Sequence, residues 1–164
     1  MESFDITSGC DPQEVDNAVN QARKEIGQRF DFRGLRIGVE YSRRESEIVL
    51  SAPDEYKLRA VLEVLKGRLS RRKVPVKNLK PGPVEAAAAG SVRQSLHLQQ
   101  GIPTEISKQI IRFVKDRKLK KVQASIQGEQ VRISSPSRDS LQDVIRLLKA
   151  EEFGLELQFG NYRT

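Results

Sequence analysis

The sequence predicts an α+β protein built from two similar units, each an antiparallel sheet with two helices on one face. Three observations predict it: an internal repeat, apolar stripes at helical spacing, and short alternating strands around them.

The repeat is clearest where SAPDEYKLRAVLEVLK (51–66) lies over SSPSRDSLQDVIRLLK (134–149) at an offset of 83. Leu58, Val61, Leu62 and Leu65 fall on Leu141, Val144, Ile145 and Leu148. Each set follows i, i+3, i+4, i+7, the buried stripe of an amphipathic helix. Ser51 with Pro53, and Ser134 with Pro136, supply matching start signals. The same offset pairs Ile48 and Leu50 with Val131 and Ile133, and Val74 and Val76 with Leu157 and Phe159. These pairs alternate as half-buried strands do. Farther upstream, SFDIT (3–7) pairs with SLHLQ (95–99) at an offset of 92, so the first unit holds nine additional residues.

In order, the first unit reads strand 4–7, helix 12–29, strands 35–41 and 47–51, helix 54–70 and strand 74–79. The second reads strand 84–99, helix 103–117, strands 121–127 and 130–134, helix 137–150 and strand 155–159. This βαββαβ order is ferredoxin-like. The expected architecture is two tandem ferredoxin-like domains, 1–82 and 83–164, with KPGP (80–83) as the linker. Segment 84–99 is long for one strand and begins with an alanine run, so an exchange of strands between the units stays open.

Helices on one sheet face leave the other face free, and strand alternation says what that face carries. In the second unit it carries Arg93, His97, Lys121, Gln123, Ser125 and Arg132, a basic surface with amide groups. Arg93, Lys121 and Arg132 are candidates for phosphate contacts, and Gln94 and Gln123 for hydrogen bonds to a ligand. The central strands offer no outward aromatic, so the stacking platform of the familiar RNA-binding version of this fold is absent.

RFDFRG (29–34) lies within the nine-residue excess. It has two readings. In one, it closes the end of the first helix, with Phe30 in the core and Gly34 permitting the turn. In the other, Phe32 is exposed and, with Arg33, contacts a nucleotide or nucleic acid. Two basic runs, RLSRRK (68–73) and KDRKLKK (115–121), end helices, where the helix dipole favours cations without any partner.

The chain has 164 residues, net charge +7 and a single cysteine, Cys10. The charge suits a polyanionic partner. One cysteine excludes a disulfide framework and a cysteine-based metal site. No apolar run approaches the roughly 20 residues of a membrane span, and the N-terminus does not read as a signal peptide. A cytoplasmic protein without membrane association is expected. No phosphate loop, dinucleotide fingerprint or HExxH motif is present. The lone His97 has no Cys or His to share a metal with. No enzyme activity, cofactor or metal is expected.

The segments SFDI, EVDNAVNQARKEI, RFDFRG, VRQ, QGI, KDRKLKKVQASIQGEQVRI, RDSLQDVIRLLK and FGLELQF together resemble the YajQ family over essentially the whole chain. The resemblance implies a bacterial, cytosolic protein of tandem ferredoxin-like domains that binds rather than catalyses. The implied ligands are purine nucleotides such as GTP or ATP, cyclic di-GMP, or RNA including tRNA. A cyclic di-GMP effector would act through a protein or DNA partner. The chain departs from the family pattern at Gly90-Ser91, where Lys-Thr is usual, and at Ser135-Pro136-Ser137, where Gly-Lys-Lys is usual. If those lysines hold phosphate in relatives, the contact here is weaker or displaced.

Overall fold

The structure, a computed structural model, describes residues 1–164. Eight strands and four helices follow in the order β1 (Glu2–Thr7), α1 (Pro12–Gln28), β2 (Gly38–Ser42), β3 (Glu47–Ala52), α2 (Glu55–Arg71), β4 (Leu79–Ala86), β5 (Val92–Leu98), α3 (Thr104–Asp116), β6 (Gln123–Gln127), β7 (Gln130–Ser135), α4 (Arg138–Lys149) and β8 (Gln158–Arg163). The helices begin where side chains can satisfy free amides. Asp11 accepts from Gln13 N at 2.9 Å, Asp54 from Lys57 N at 2.8 Å, and Ser137 from Ser140 N at 3.2 Å. The predicted stripes are the buried faces: Leu58, Val61 and Leu65 in α2, and Leu141, Val144, Ile145 and Leu148 in α4. Leu62 is only partly buried, and Val64 is buried instead.

The strands form two antiparallel four-stranded sheets, ordered β6-β7-β1-β8 and β2-β3-β5-β4. Each has the ferredoxin-like arrangement, in which a unit's first strand lies between its third and fourth. That central strand comes from the other repeat: β1 pairs with β7 and β8, and β5 pairs with β3 and β4. The compact units are therefore not the consecutive halves 1–82 and 83–164. One is discontinuous, Met1–Gly9 with Gln100–Thr164, and the other is continuous, Cys10–Gln99.

In the continuous unit, α1 and α2 bury Val19, Ala22, Leu58 and Leu65 in one core with Ile48, Leu50, Leu96 and Leu98 of the sheet. Buried Asn78 holds the end of β5 there, accepting from Gln99 N at 2.8 Å and donating Nδ2 to Gln99 O at 3.0 Å. In the discontinuous unit, Ile110, Leu141, Ile145 and Leu148 pack on Phe4, Ile6, Val131 and Ile133. In both units the two helices lie on one sheet face.

Segment 80–83, expected to be a linker, is part of β4. Pro81 and Pro83 have no N–H to give a ladder, so they suit an edge strand, and the pairing with β5 shifts register between Pro81 and Val84. The expected strand 84–99 is interrupted by a turn at Ala88–Gly90, which separates β4 from β5. The expected strand at 74–79 is a 3-10 turn, Val76–Asn78, before β4 begins. No helix is long and apolar enough to cross a membrane.

Candidate nucleotide-binding site

After α1 the chain makes a 3-10 turn over Phe30–Phe32. Arg33 N donates to Phe30 O at 3.1 Å and Leu35 N to Phe32 O at 3.1 Å, and Gly34 takes the positive φ of +76° that releases the chain toward β2. Arg29 grips Asp31 in a fork, Nε to Oδ1 at 3.0 Å and NH2 to Oδ2 at 2.8 Å. That bond, more than any other influence, holds the Asp31 carboxyl below its ordinary value. Lys57, at the start of α2, donates Nζ to Asp31 O at 2.7 Å. The turn is thus pinned from both flanking helices.

The pinning decides which phenylalanine faces out. Phe32 is 3% exposed and belongs to the core, with the Arg29 guanidinium 4.9 Å from its ring centroid. Phe30 is 81% exposed, with the Arg33 guanidinium 5.5 Å from its centroid. This reverses the expectation that Phe30 is core and Phe32 exposed. Strand parity does not hold in a 3-10 segment with three residues per turn.

Beside the turn is a cleft of about 480 Å³ between the last part of α1 and β2, with Phe32, Arg33 and Gly34 in its wall. Its volume lies in the range of small-molecule sites. Arg23 also lines it but is committed: it donates to Val39 O at 2.7 Å and to Glu40 at 3.2 Å. Arg33 forms no ion pair with a carboxylate, so it is the cation left for an anionic ligand.

The remaining predicted residues divide between the units because of the strand exchange. Arg93 and Gln94 lie on β5, in the continuous unit, and not beside Lys121, Gln123 and Arg132. Arg93 is exposed, in register with Ser51 and Glu85. Gln94 pairs with Leu50 on the helix side and donates Nε2 to Gly82 O at 2.9 Å, bridging the irregularity in β4. In the discontinuous unit, Gln123 and Arg132 share the free sheet face, while Lys121 sits in the turn before β6 with φ of +58°. Arg132 is not a free cation. Its Nε donates to Asp5 Oδ1 at 3.0 Å, while Asp5 Oδ2 accepts from Asn161 at 2.6 Å and Arg163 at 3.2 Å. The Arg132 bond is the largest influence holding the Asp5 carboxyl below its ordinary value.

The family described as nucleotide-binding protein YajQ-like matches residues 2–163. The chain belongs to the YajQ family. A relative from Koribacter versatilis (strain Ellin345), named a nucleotide-binding protein, is 50% identical over 162 residues, covering 99% of this chain and 97% of that one. One from Trichlorobacter lovleyi, also named a nucleotide-binding protein, is 50% identical over 163 residues and 99% of both chains. A third, so named from Elusimicrobium minutum, is 44% identical over 161 residues and 98% of both.

Three residues near these sites in this YajQ family chain do not follow from the sequence pattern. Phe30 reads as core by sequence and is exposed. Arg163 and Asn161 lie beyond the strand expected over 155–159, because β8 forms over Gln158–Arg163. Alternation from Phe159, which packs on the core, would put Asn161 and Arg163 on the helix side; the register shift against β1 and the positive φ of Asn161 turn them to Asp5 on the free face.

Proposed function

We propose that this protein is a non-catalytic nucleotide binder whose ligand sits at the 29–34 turn of the continuous unit. The observation that carries this reading is Arg33, which lines the cleft beside α1 and has its guanidinium 5.5 Å from the ring centroid of exposed Phe30. A base stacks on Phe30, and Arg33 neutralises phosphate at the cleft mouth. The Glu40 carboxylate, held by Arg23, keeps phosphate from the strand side of the cleft. The names of the relatives support the same ligand class. Titration of the protein with GTP, ATP and cyclic di-GMP tests it. At least one should bind, and Phe30→Ala or Arg33→Ala should weaken that binding about tenfold, as loss of one charge-assisted bond or stacking contact does. Binding untouched by both substitutions would sink this site. The bound nucleotide should be recovered unchanged.

A second reading places RNA on the free sheet face of the discontinuous unit. The favouring observation is that two arginines, Arg132 and Arg163, share one carboxylate, Asp5, beside exposed Gln123, Ser125 and Gln127. tRNA binding that falls steeply with salt and weakens in Arg163→Ala, with nucleotides inert, would favour it.

A further inference from the structure

Four strands lie at sheet edges: β2, β4, β6 and β8. Edge strands expose unpaired N–H and C=O groups, and most proteins guard them with proline, charge or irregularity. β4 carries Pro81, Pro83 and a register shift. β8 has a register shift against β1 and Asn161 at positive φ. β2 carries the charged Glu40. β6, QASIQ, has none of these guards and pairs with β7 in unbroken register from Gln123 to Gln127.

The hydrogen-bonding direction along β6 follows from its turn. Gln127 and Gln130 flank two residues, Gly128 and Glu129, and only Gly128 has positive φ, at 64°, as in a type II′ hairpin. That closing pair is hydrogen-bonded, so by alternation Ser125 and Gln123 also point their backbone groups at β7. The groups of Ala124 and Ile126 therefore point at the open edge. Ile126 is 38% exposed.

Beside this edge is a cleft of about 450 Å³ between the end of α3 and the start of β6. Val114, Leu119, Val122 and Ala124 give it an apolar lining, and Lys115 and Lys118 stand at its wall. Lys120 and Lys121 follow in the same loop and are exposed. None of these four lysines forms an ion pair with a carboxylate. The helix dipole accounts for Lys115 in the last turn of α3, but not for three further lysines beyond that turn.

We propose that β6 is a docking edge for an extended acidic segment of a partner protein. The segment adds to the sheet as a fifth strand. Its backbone pairs with Ala124 and Ile126, one apolar side chain enters the cleft, and flanking carboxylates meet Lys115 and Lys118. Main-chain pairing supplies the affinity and the lysines select the sign of the partner. This role is separate from nucleotide binding at the 29–34 turn, which lies in the other unit.

The test is fluorescence anisotropy with the intact protein and a labelled peptide alternating glutamate and valine. Binding is expected. It should be abolished when alternate backbone nitrogens of the peptide are methylated, which removes strand pairing while keeping charge. Lys115→Glu with Lys118→Glu should weaken it by at least about tenfold, and a lysine–valine peptide should not bind. The methylated peptide leaves the protein unaltered, so misfolding of a variant cannot decide the result. Equal binding of the methylated peptide overturns the proposal. So does failure of the acidic peptide to bind while polyuridylate binds through the same lysines, which would make the patch a nucleic-acid surface. Self-association lost on Ala124→Pro, with no peptide binding, would assign the edge to a second copy of this chain and overturns it too.

Discussion

Arg132 and Asp5 are 127 residues apart in sequence, yet they face each other across β7 and β1 with Nε 3.0 Å from Oδ1. Asp5 is 3% exposed on the sheet face away from the helices and is enclosed by Arg132, Arg163 and Asn161. A carboxylate so enclosed is retained because three donors satisfy it. The pair also ties the exchanged strand to its host, since β1 carries the acid and the C-terminal repeat carries every donor.

Asp5 should make stability sensitive to acid. Its carboxyl is held below the ordinary value, chiefly by the Arg132 hydrogen bond. The folded chain therefore binds this proton less well than the unfolded chain. The stabilisation is fully present above about pH 4, the ordinary carboxylate range, and is lost as pH falls through the lower folded value. Asp5→Asn should be less stable than the parent by about 1–3 kcal/mol at neutral pH, and the gap should narrow as acid is added. Melting curves of both proteins across pH measure this; a gap independent of pH would contradict it.

The two phenylalanines of the 29–34 turn should behave oppositely. Phe32→Ala removes a buried ring and should lower stability by about 3–5 kcal/mol. Phe30→Ala removes a ring that is 81% exposed and should leave the melting temperature nearly unchanged while weakening nucleotide binding. Denaturant unfolding and a binding titration on both variants separate the roles. Equal destabilisation by the two would mean that the turn is not held as described.

Cys10 should be inert toward thiol reagents in the folded protein. It is buried, and burial pushes its thiol up to about 11, so almost no thiolate exists at neutral pH. Ellman's reagent should react only at the rate of unfolding, and rapid labelling under native conditions would contradict the placement.

The helices were legible because their stripes recur in both repeats, and each observed boundary lies within a residue of the expected one. Strand partnership was not legible. SFDIT alternates identically whichever sheet receives it, and nothing local in Phe4 or Ile6 distinguishes β7 from β3 as a neighbour. That uncertainty passed into the site: Arg93 and Arg132 share outward parity, but parity cannot say that two strands share a sheet. KPGP read as a linker because proline is rare in central strands, whereas an edge strand tolerates it. The RFDFRG turn was located correctly, but its facing residue required a 3-10 geometry that alternation does not describe.

The exchange has a consequence for where the chain can be cut. Residues 10–99 contain both helices of the continuous unit and all four strands of its sheet. Residues 1–82 contain the same helices but lack β5, the strand between β3 and β4. Leu96 and Leu98 on that strand are 0% exposed, and each buried leucine contributes about 1.5–3 kcal/mol. Its loss also uncovers Ile48 and Leu50 on β3, their register partners being Leu96 and Gln94. A domain of this size has only about 5–15 kcal/mol of net stability, so losing a central strand removes a large part of it. Fragment 10–99 should therefore unfold cooperatively on heating and show dispersed amide resonances, and fragment 1–82 should do neither. A cooperatively folded 1–82, or an unfolded 10–99, would mean that β5 is not the strand that completes this sheet.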